Sequence, residues 1–571
     1  MSIPPVLPRV GRYLAFILLC PRFLLPGRWH WLRYYPPVVP DELLLSRWSG
    51  SEWPDYQRWI DRNDRMDLRR WRRLHQRARS RPPAASISIV TPVFNTPPAI
   101  LQECILSVRM QTSPYWEWIL VDDASASPET RAVLASPFVR DPRIRIFSTG
   151  GGRPAGISAA TNLGIARARG EFVVFLDHDD RLALETVQVL EETLAADPDL
   201  DIVYSDRDML SPQGRRYMHL MKPDWSPETL LSGNYVFHLL CYRKSLIGRV
   251  GGLRGEYDGS QDYDLILRCM EHTDRIAHVR RVLYHWRQHP ASVSLDDGAK
   301  SFAFDAGVRA LRDALRRRGI DGRVEEEGNL WRGHYRVRLP FPPPAAADRI
   351  LLPPESGGQG YAVQVRAARC TGRPYLLIRD GEVTPADTGA EPELLSWLRL
   401  EKVGLVTGRT LDARGRNVYA GAVLTRRGTL LRPYHGFPAA EPGYMAVTSI
   451  VRNLSVPDPF CLAVRRELWE RLGGLDPAFQ SPWAMLDFAL RALASGWRIV
   501  YVPSARFECR EDPWAGRFPE RDRAVFASRW RAWLRRGDPA YNPNLSESSD
   551  RYELALETST QGDRPKSLDE G

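Results

Sequence analysis

The chain has 571 residues, a formal charge of +10, and a hydrophobic fraction of 43% that includes 18 tryptophans. That length holds roughly two to four domains, and that apolar content excludes a disordered protein. Nearly all basic residues are Arg, and the seven cysteines are scattered with no C-x-x-C pair. Such cysteine usage points to a reducing compartment and excludes a disulfide framework or a Cys-rich zinc site.

Residues 1–46 hold an apolar run, Tyr13 to Leu25, which Pro21 and Arg22 interrupt. It falls short of the about 20 residues a membrane span needs. Arg9 and Arg12 precede it as in a signal peptide, but no small-residue cleavage site follows. With Trp29, Trp31, Tyr34 and Tyr35 behind it, the segment reads as interfacial or as a buried helix. Residues 54–85 read as a basic helical segment ending in LRRWRRLHQRARSR. Its charged face is either simply solvated or drawn to an anionic membrane. No recognition motif accompanies the charge, so nucleic acid is not expected as a partner.

From residue 86 strands and helices alternate. SISIVTPVF is a buried strand, ILQECILSVRMQ a helix, and WEWILVDD a strand ending in acids. RIRIF is a further strand, ISAATNLGIARARG a helix, and GEFVVFLDHDD at 170–180 an apolar strand that stops at Asp177, His178, Asp179 and Asp180. DIVYSD is another strand with acids at its tip. The alternation predicts a doubly wound α/β sheet, whose ligands bind beyond the carboxyl ends of the strands. Carboxylates crowded there repel one another unless a cation sits between them, and a divalent cation carrying a diphosphate fits. GSQDYDLILR at 259–268 sets Asp262 in the first turn of a helix, where Ser260 is the expected cap and the dipole favours an acid.

A repeat follows. CYRKSLIGRVGGLRGEYDGSQDYDLILRC at 241–269 recurs as AVRRELWERLGGLDPAFQSPWAMLDFALRA at 463–492, and GEFVVFLDHDD aligns with GRPYLLIRDGE at 372–382. In that alignment Arg379 replaces Asp177, Gly381 replaces Asp179 and Met485 replaces Asp262. The reading is therefore a catalytic domain over 86–335, a Pro-rich linker over 336–346, a degenerate module over 347–535 and a disordered polar tail over 536–571.

Together, ISIVTPVFNTP, ILVDDAS, GISAATN, FLDHDD, KPDWSPETLLSGNY, GSQDYDL and LYHWRQHPAS resemble the family 2 glycosyltransferases of the GT-A fold that build bacterial surface polysaccharides and O-antigens. The resemblance implies Asp179 as the metal ligand and Asp177 as a sugar contact in a D-x-D motif, with Mn²⁺ or Mg²⁺ as cofactor. It implies nucleotide contacts at Pro92, Phe94, Asp122 and Asp123, and a donor contact or a packing role for Asn162. Asp262 matches the general base of an inverting displacement. His289, ahead of His285, matches a metal-binding His, with a structural role as the alternative for both. Trp225 and His238 fall on the acceptor side. His178 is taken as a spacer and Asp180 as a helix cap.

The partners implied are a nucleoside diphosphate sugar and a glycan or lipid-linked acceptor, at the cytoplasmic face of a bacterial membrane with peripheral contact to it. The rivals are a noncatalytic nucleotide-sugar or glycan scaffold and a nucleotidyltransferase. The latter class needs a Gly-rich basic loop after its first strand, where TPVFNTPP stands instead. GGGRPAG at 150–156 follows a later strand and reads as a flexible loop.

Overall fold

The structure is a computed structural model that describes residues 53–83, 85–211, 214–288, 301–352, 360–367 and 371–556. The segment expected to be interfacial, 1–46, lies outside the described residues. The chain divides into two units: unit one is 1–221 with 236–307, and unit two is 222–235 with 308–571.

Unit one opens with α1 (Pro54–Trp59) and α2 (Leu68–Arg79), where the sequence predicts one continuous helix. A π-helical turn at Ile60–Asp64 and an extended Arg65 part them. Asp67 then caps α2 by accepting from the Arg70 N–H at 2.8 Å. The inner face of α2 buries Leu74 and Ala78, while Trp71 Nε1 donates to the Met110 carbonyl at 2.7 Å.

The sheet elements follow in order: β1 (Ile87–Val93), α3 (Pro98–Arg109), β2 (Trp116–Asp122), α4 (Pro128–Leu134), β3 (Ile144–Ser148), α5 (Ile157–Arg167) and β4 (Phe172–Phe175). Next come β5 (Arg181–Leu182), α6 (Thr186–Ala196), β6 (Ile202–Leu210), β7 (Arg216–Leu220), β8 (Leu240–Arg243), α7 (Lys244–Arg249), α8 (Gln261–Cys269) and β9 (Ile276–Arg287). They form a nine-stranded sheet in the order β3-β2-β1-β4-β8-β6-β9-β5, with β7 on β6. β3, β2, β1 and β4 are parallel, β8 runs against both β4 and β6, and β6 is parallel to β9. β1 is buried at every position, as its apolar, β-branched run requires of a strand covered on both faces.

From β1 the chain moves to β2 and β3 on one side, then returns to β4 on the other. The order reverses between β1 and β4, and the crevice beyond their carboxyl ends is where such sheets bind ligands. The start of α8 is fixed by Asp264, which is fully buried against Arg254 and Arg268. Arg268 also donates to the carbonyls of Val250 at 2.5 Å and Gly252 at 2.7 Å.

Unit two repeats this plan without counterparts of β2 and β3 among the described residues. Its strands run in the order Ala347–Leu352, Tyr375–Asp380, Cys461–Arg465, Val403–Asp412, Arg498–Cys509 and Thr384–Pro385. The parallel and antiparallel pairings match those of β1, β4, β8, β6, β9 and β5 one for one. Individual contacts recur too. Arg243 donates to the carbonyls of Pro198 and Leu200, and Arg465 to those of Leu398 and Leu400. The Arg268 clamp returns as Arg491 on Asp487 and the carbonyls of Leu472 and Gly474.

These contacts correct the sequence alignment by one residue. The Lys244 N–H meets the Glu171 carbonyl at 2.8 Å, and the Arg466 N–H meets the Pro374 carbonyl at 2.9 Å. Likewise Phe172 pairs with Arg243, and Tyr375 with Arg465. Asp380, not Arg379, therefore stands at the place of Asp177, and Glu382 at that of Asp179. Matching Gly170 to Gly372 by identity misses this, because strand register is set by pairing rather than by letters.

Three boundaries also move. Residues 222–235 belong to unit two, where Glu228 is held by Arg498 at 2.8 Å and by Asn453 at 2.7 Å. The expected linker 336–346 begins inside a hairpin of Arg323–Glu326 with Tyr335–Arg338, which buries Val337 and Leu339. The expected disordered tail is ordered as far as 556: Asp538, Tyr541, Leu545 and Tyr552 are buried in unit two. A few spaced apolar residues anchor a segment that reads as polar on average.

Candidate active site

The turn after β4 carries the acids. Leu176 still bonds the Val90 carbonyl of β1, and the Asp180 N–H returns to the Asp177 carbonyl at 3.2 Å. Asp180 is 1% exposed and does not cap a helix. Its two oxygens accept from the Tyr284 hydroxyl and the Arg287 N–H, both at 2.6 Å. Tyr284 Oη also receives the Asp177 N–H at 3.2 Å, and Arg287 Nε donates to the Asp179 carbonyl at 2.8 Å. His178 Nδ1 bonds Thr96 Oγ1 at 2.9 Å.

His238 joins this turn from the segment before β8. Its ring lies 4.7 Å from the Tyr284 ring at 10°, and its Nε2 is 3.7 Å from Asp177 Oδ2. One oxygen each of Asp177 and Asp180 and a nitrogen of His238 lie within 4.8 Å of one another. Burial, with the charges of Asp179 and Asp262, raises the Asp177 pKa to about 7. Asp180 is raised by burial and by the charges of Asp179 and Asp177. Four acids thus converge on one end of the sheet, with Asp262 arriving from the first turn of α8. Two carboxylates and an imidazole are a donor set that suits Mn²⁺, and Mg²⁺ through its oxygens.

The expected nucleotide side is mixed. Phe94 stands 43% exposed just past β1. Pro92 is inside β1, buried and opposite Val121, so it is set back from the crevice edge. Asp122 is half-buried and accepts from the Ser125 N–H at 3.1 Å. Asp123 is buried and fastens the Gly-rich loop, accepting from Thr149 Oγ1 at 2.8 Å, Ala155 N at 2.7 Å and Gly156 N at 3.0 Å. That loop, read as flexible, is tied down at its C-terminal end. Gly156 has φ +97° and approaches Asp258 so closely that a Cβ there would lie 2.8 Å from its carboxylate. Asn162 spends both ends of its amide on the Leu253 backbone, at 2.8 and 2.9 Å.

Other expectations resolve structurally. His285 bonds Asp208 at 2.6 Å inside a buried cluster with Tyr56 and Arg216, and serves that cluster. Ser260 donates to the Ala303 carbonyl at 2.8 Å instead of capping α8. Trp225 lies in the 222–235 segment of unit two. His289 lies outside the described residues.

Residues 88–252 match the family model described as Glycosyl transferase family 2. They are a family 2 glycosyltransferase domain. The O-antigen biosynthesis protein RfbC of Myxococcus xanthus is 31% identical over 514 residues, covering 81% of this chain and 40% of that protein. Chondroitin synthase of Pasteurella multocida is 26% identical over 210 residues, 37% of this chain and 21% of that protein. The chain spans 40% and 58% of the length of the first two curated relatives it matches. Among solved structures, S. aureus TarS 1–349 in complex with UDP-GlcNAc shares 18% identity with a TM-score of 0.34, over 40% of this chain and 66% of that one.

Within the family 2 domain, Tyr284 and Arg287 were not singled out from sequence, although they hold both Asp180 and the backbone of the acidic turn. Their signal was faint: LYHWR carries no motif of its own, and it reaches the turn because β9 pairs with β5, the strand directly after Asp180, Arg181 opposite His285 and Leu182 opposite Tyr284. Arg207 of β6 sits between the rings of Phe237 and Trp286 at 4.4 and 4.5 Å. It is a wall of the same end of the sheet, beside His238.

Proposed function

We propose that the chain is a metal-dependent, inverting glycosyltransferase that moves a sugar from a nucleoside diphosphate sugar to a glycan acceptor of surface-polysaccharide assembly. The observation that carries this is the convergence of Asp177, Asp179, Asp180 and Asp262 beyond β4, beside the point where the strand order reverses. A divalent cation bound by the strand-end acids would neutralise the leaving diphosphate. Phe94 offers an exposed face on which a nucleobase can stack, with Asp122 alongside. Asp262 takes the proton of the acceptor hydroxyl as that oxygen attacks the anomeric carbon and displaces the nucleoside diphosphate, which inverts the centre. Asp177 and Asp179 orient donor and cation, and the wall of Tyr284, His238 and Trp286 limits water.

Unit two is read as noncatalytic, because Met485, fully buried, stands at the place of Asp262. A lipid-linked acceptor and peripheral contact at the inner membrane face are part of the proposal. They are supported by the exposed arginines of α2 and by the named O-antigen relative. No helix among the described residues is long and apolar enough to cross a membrane.

The test is release of nucleoside diphosphate from UDP-, GDP- and dTDP-sugars with Mn²⁺, Mg²⁺ or EDTA and a membrane extract as acceptor. Asp262→Asn is expected to lower kcat by about 10²–10⁴-fold while nucleotide still binds. Nucleotide binding without turnover of any donor by the wild type would favour the scaffold reading.

A further inference from the structure

Unit two keeps the acids of the strand end. Asp380 occupies the place of Asp177, and Glu382 that of Asp179, yet the surroundings differ in one direction. The position three residues before Cys241 in unit one, His238, is Phe460 in unit two, three residues before Ala463, as the pairings of Val174 with Cys241 and of Leu377 with Ala463 require. Asp380 is fully buried, whereas the Asp177 side chain is partly buried, at 37% exposure. A buried carboxylate needs a positive partner or strong donors. Here it has the guanidinium of Arg517, together with the Glu382 N–H at 3.0 Å.

Arg517 reaches Asp380 from the segment that follows Arg498–Cys509, and its Cζ lies 5.2 Å from the centre of the Phe460 ring. The same segment supplies Trp514 and Phe518, stacked at 5.0 Å and packed against Phe460 at 6.1 and 6.3 Å. Trp514 Nε1 is tied to Asp458 at 3.1 Å. So the His that can ligate a metal is replaced by a ring that can only face a cation, and a cation covalently part of the chain lies against the acid.

We infer that the strand-end site of unit two is a cation site kept filled from within: Arg517 takes the place a divalent metal would take, and closes this unit to metal–diphosphate ligands. The arrangement explains why both acids persist while the base position has become Met485. The acid is retained as the partner of Arg517, not as a ligand for donor.

The inference predicts what exposing the acid should do. The full chain carrying Asp177→Asn, which silences unit one for metal, is the background. There, Arg517→Ala should lower the melting transition of unit two by about 10 °C, the scale expected when one partner of a buried ion pair is removed. Millimolar Mn²⁺ should recover at least half of that loss. Arg517→Ala with Asp380→Asn should melt near the background and ignore Mn²⁺, and Arg517→Lys should stay insensitive to Mn²⁺. An Arg517→Ala protein that melts low and gains nothing from Mn²⁺ would overturn the inference, as would one that melts like the background. If Arg517→Ala does not fold, Arg517→Gln is read by the same criteria. Donor turnover plays no part in this readout, so failure here leaves the transferase reading of unit one standing, and the reverse also holds.

Discussion

His238 occupies a position with two demands on it. Its ring is held flat against Tyr284, and its Nε2 is turned toward Asp177. If it ligates the cation, His238→Ala should weaken Mn²⁺ binding by about tenfold or more, read by electron paramagnetic resonance, with little change in melting temperature. Unchanged affinity would assign the ring to the acceptor side alone, where sequence reasoning placed it. Asp458 makes a separate claim, on stability. It is fully buried among Phe460 N, Thr410 and Trp514, and burial pushes its pKa up to about 7. The folded chain then keeps a proton that the unfolded chain, with a value of about 3.9, releases. The contribution is fully present below that unfolded value and is lost as pH rises toward 7. Calorimetry across pH 5–8 should therefore show the wild-type melting temperature falling more steeply than that of Asp458→Asn; parallel curves would refute this. Single residues were legible in the sequence where acids crowd a strand end, as at Asp177 and Asp179. They were illegible where a general-purpose side chain is recruited by distance, as with Tyr284, or diverted by a neighbour, as with Asn162 and Asp123.

The strands and helices of unit one were legible because β1 and β4 are covered on both faces and interrupted by turn-forming loops. What composition could not reveal was pairing. The helical expectation over 54–85 runs through the break at Arg65, since nothing in a charged run marks a π-helical turn. The alignment of the two repeats slipped by one residue because identity at a glycine outweighed hydrogen bonding that no letter records. Element α2 carries a prediction of its own. Its inner face is spent on Leu74, Ala78 and Trp71, which leaves Arg69, Arg72, Arg73 and Arg79 outward. Each basic residue near an anionic surface is worth about 1 kcal/mol. Arg69→Glu with Arg72→Glu and Arg73→Glu should therefore weaken co-sedimentation with phosphatidylglycerol vesicles by about 100-fold or more. Pure phosphatidylcholine should bind neither protein, and higher salt should weaken the wild type. Equal binding by both proteins would assign the charge to solvation.

Across the whole chain, the tandem arrangement was visible in sequence, and the truncated second copy with it. The boundaries were not, because a linker was inferred from proline content while the units are divided by packing. The division has a consequence in time. Glu228 is made as part of the first half of the chain, yet its partner Arg498 lies 270 residues further on. At about 5–20 residues per second, a ribosome would need roughly 15–55 s to supply it. Through that interval residues 222–235 hang from a nascent unit one as an unmated segment of another body. A chaperone, or slow folding of unit one itself, would have to keep that acidic, apolar stretch from the wrong partner, and a fragment cut at 335 would never be relieved of it.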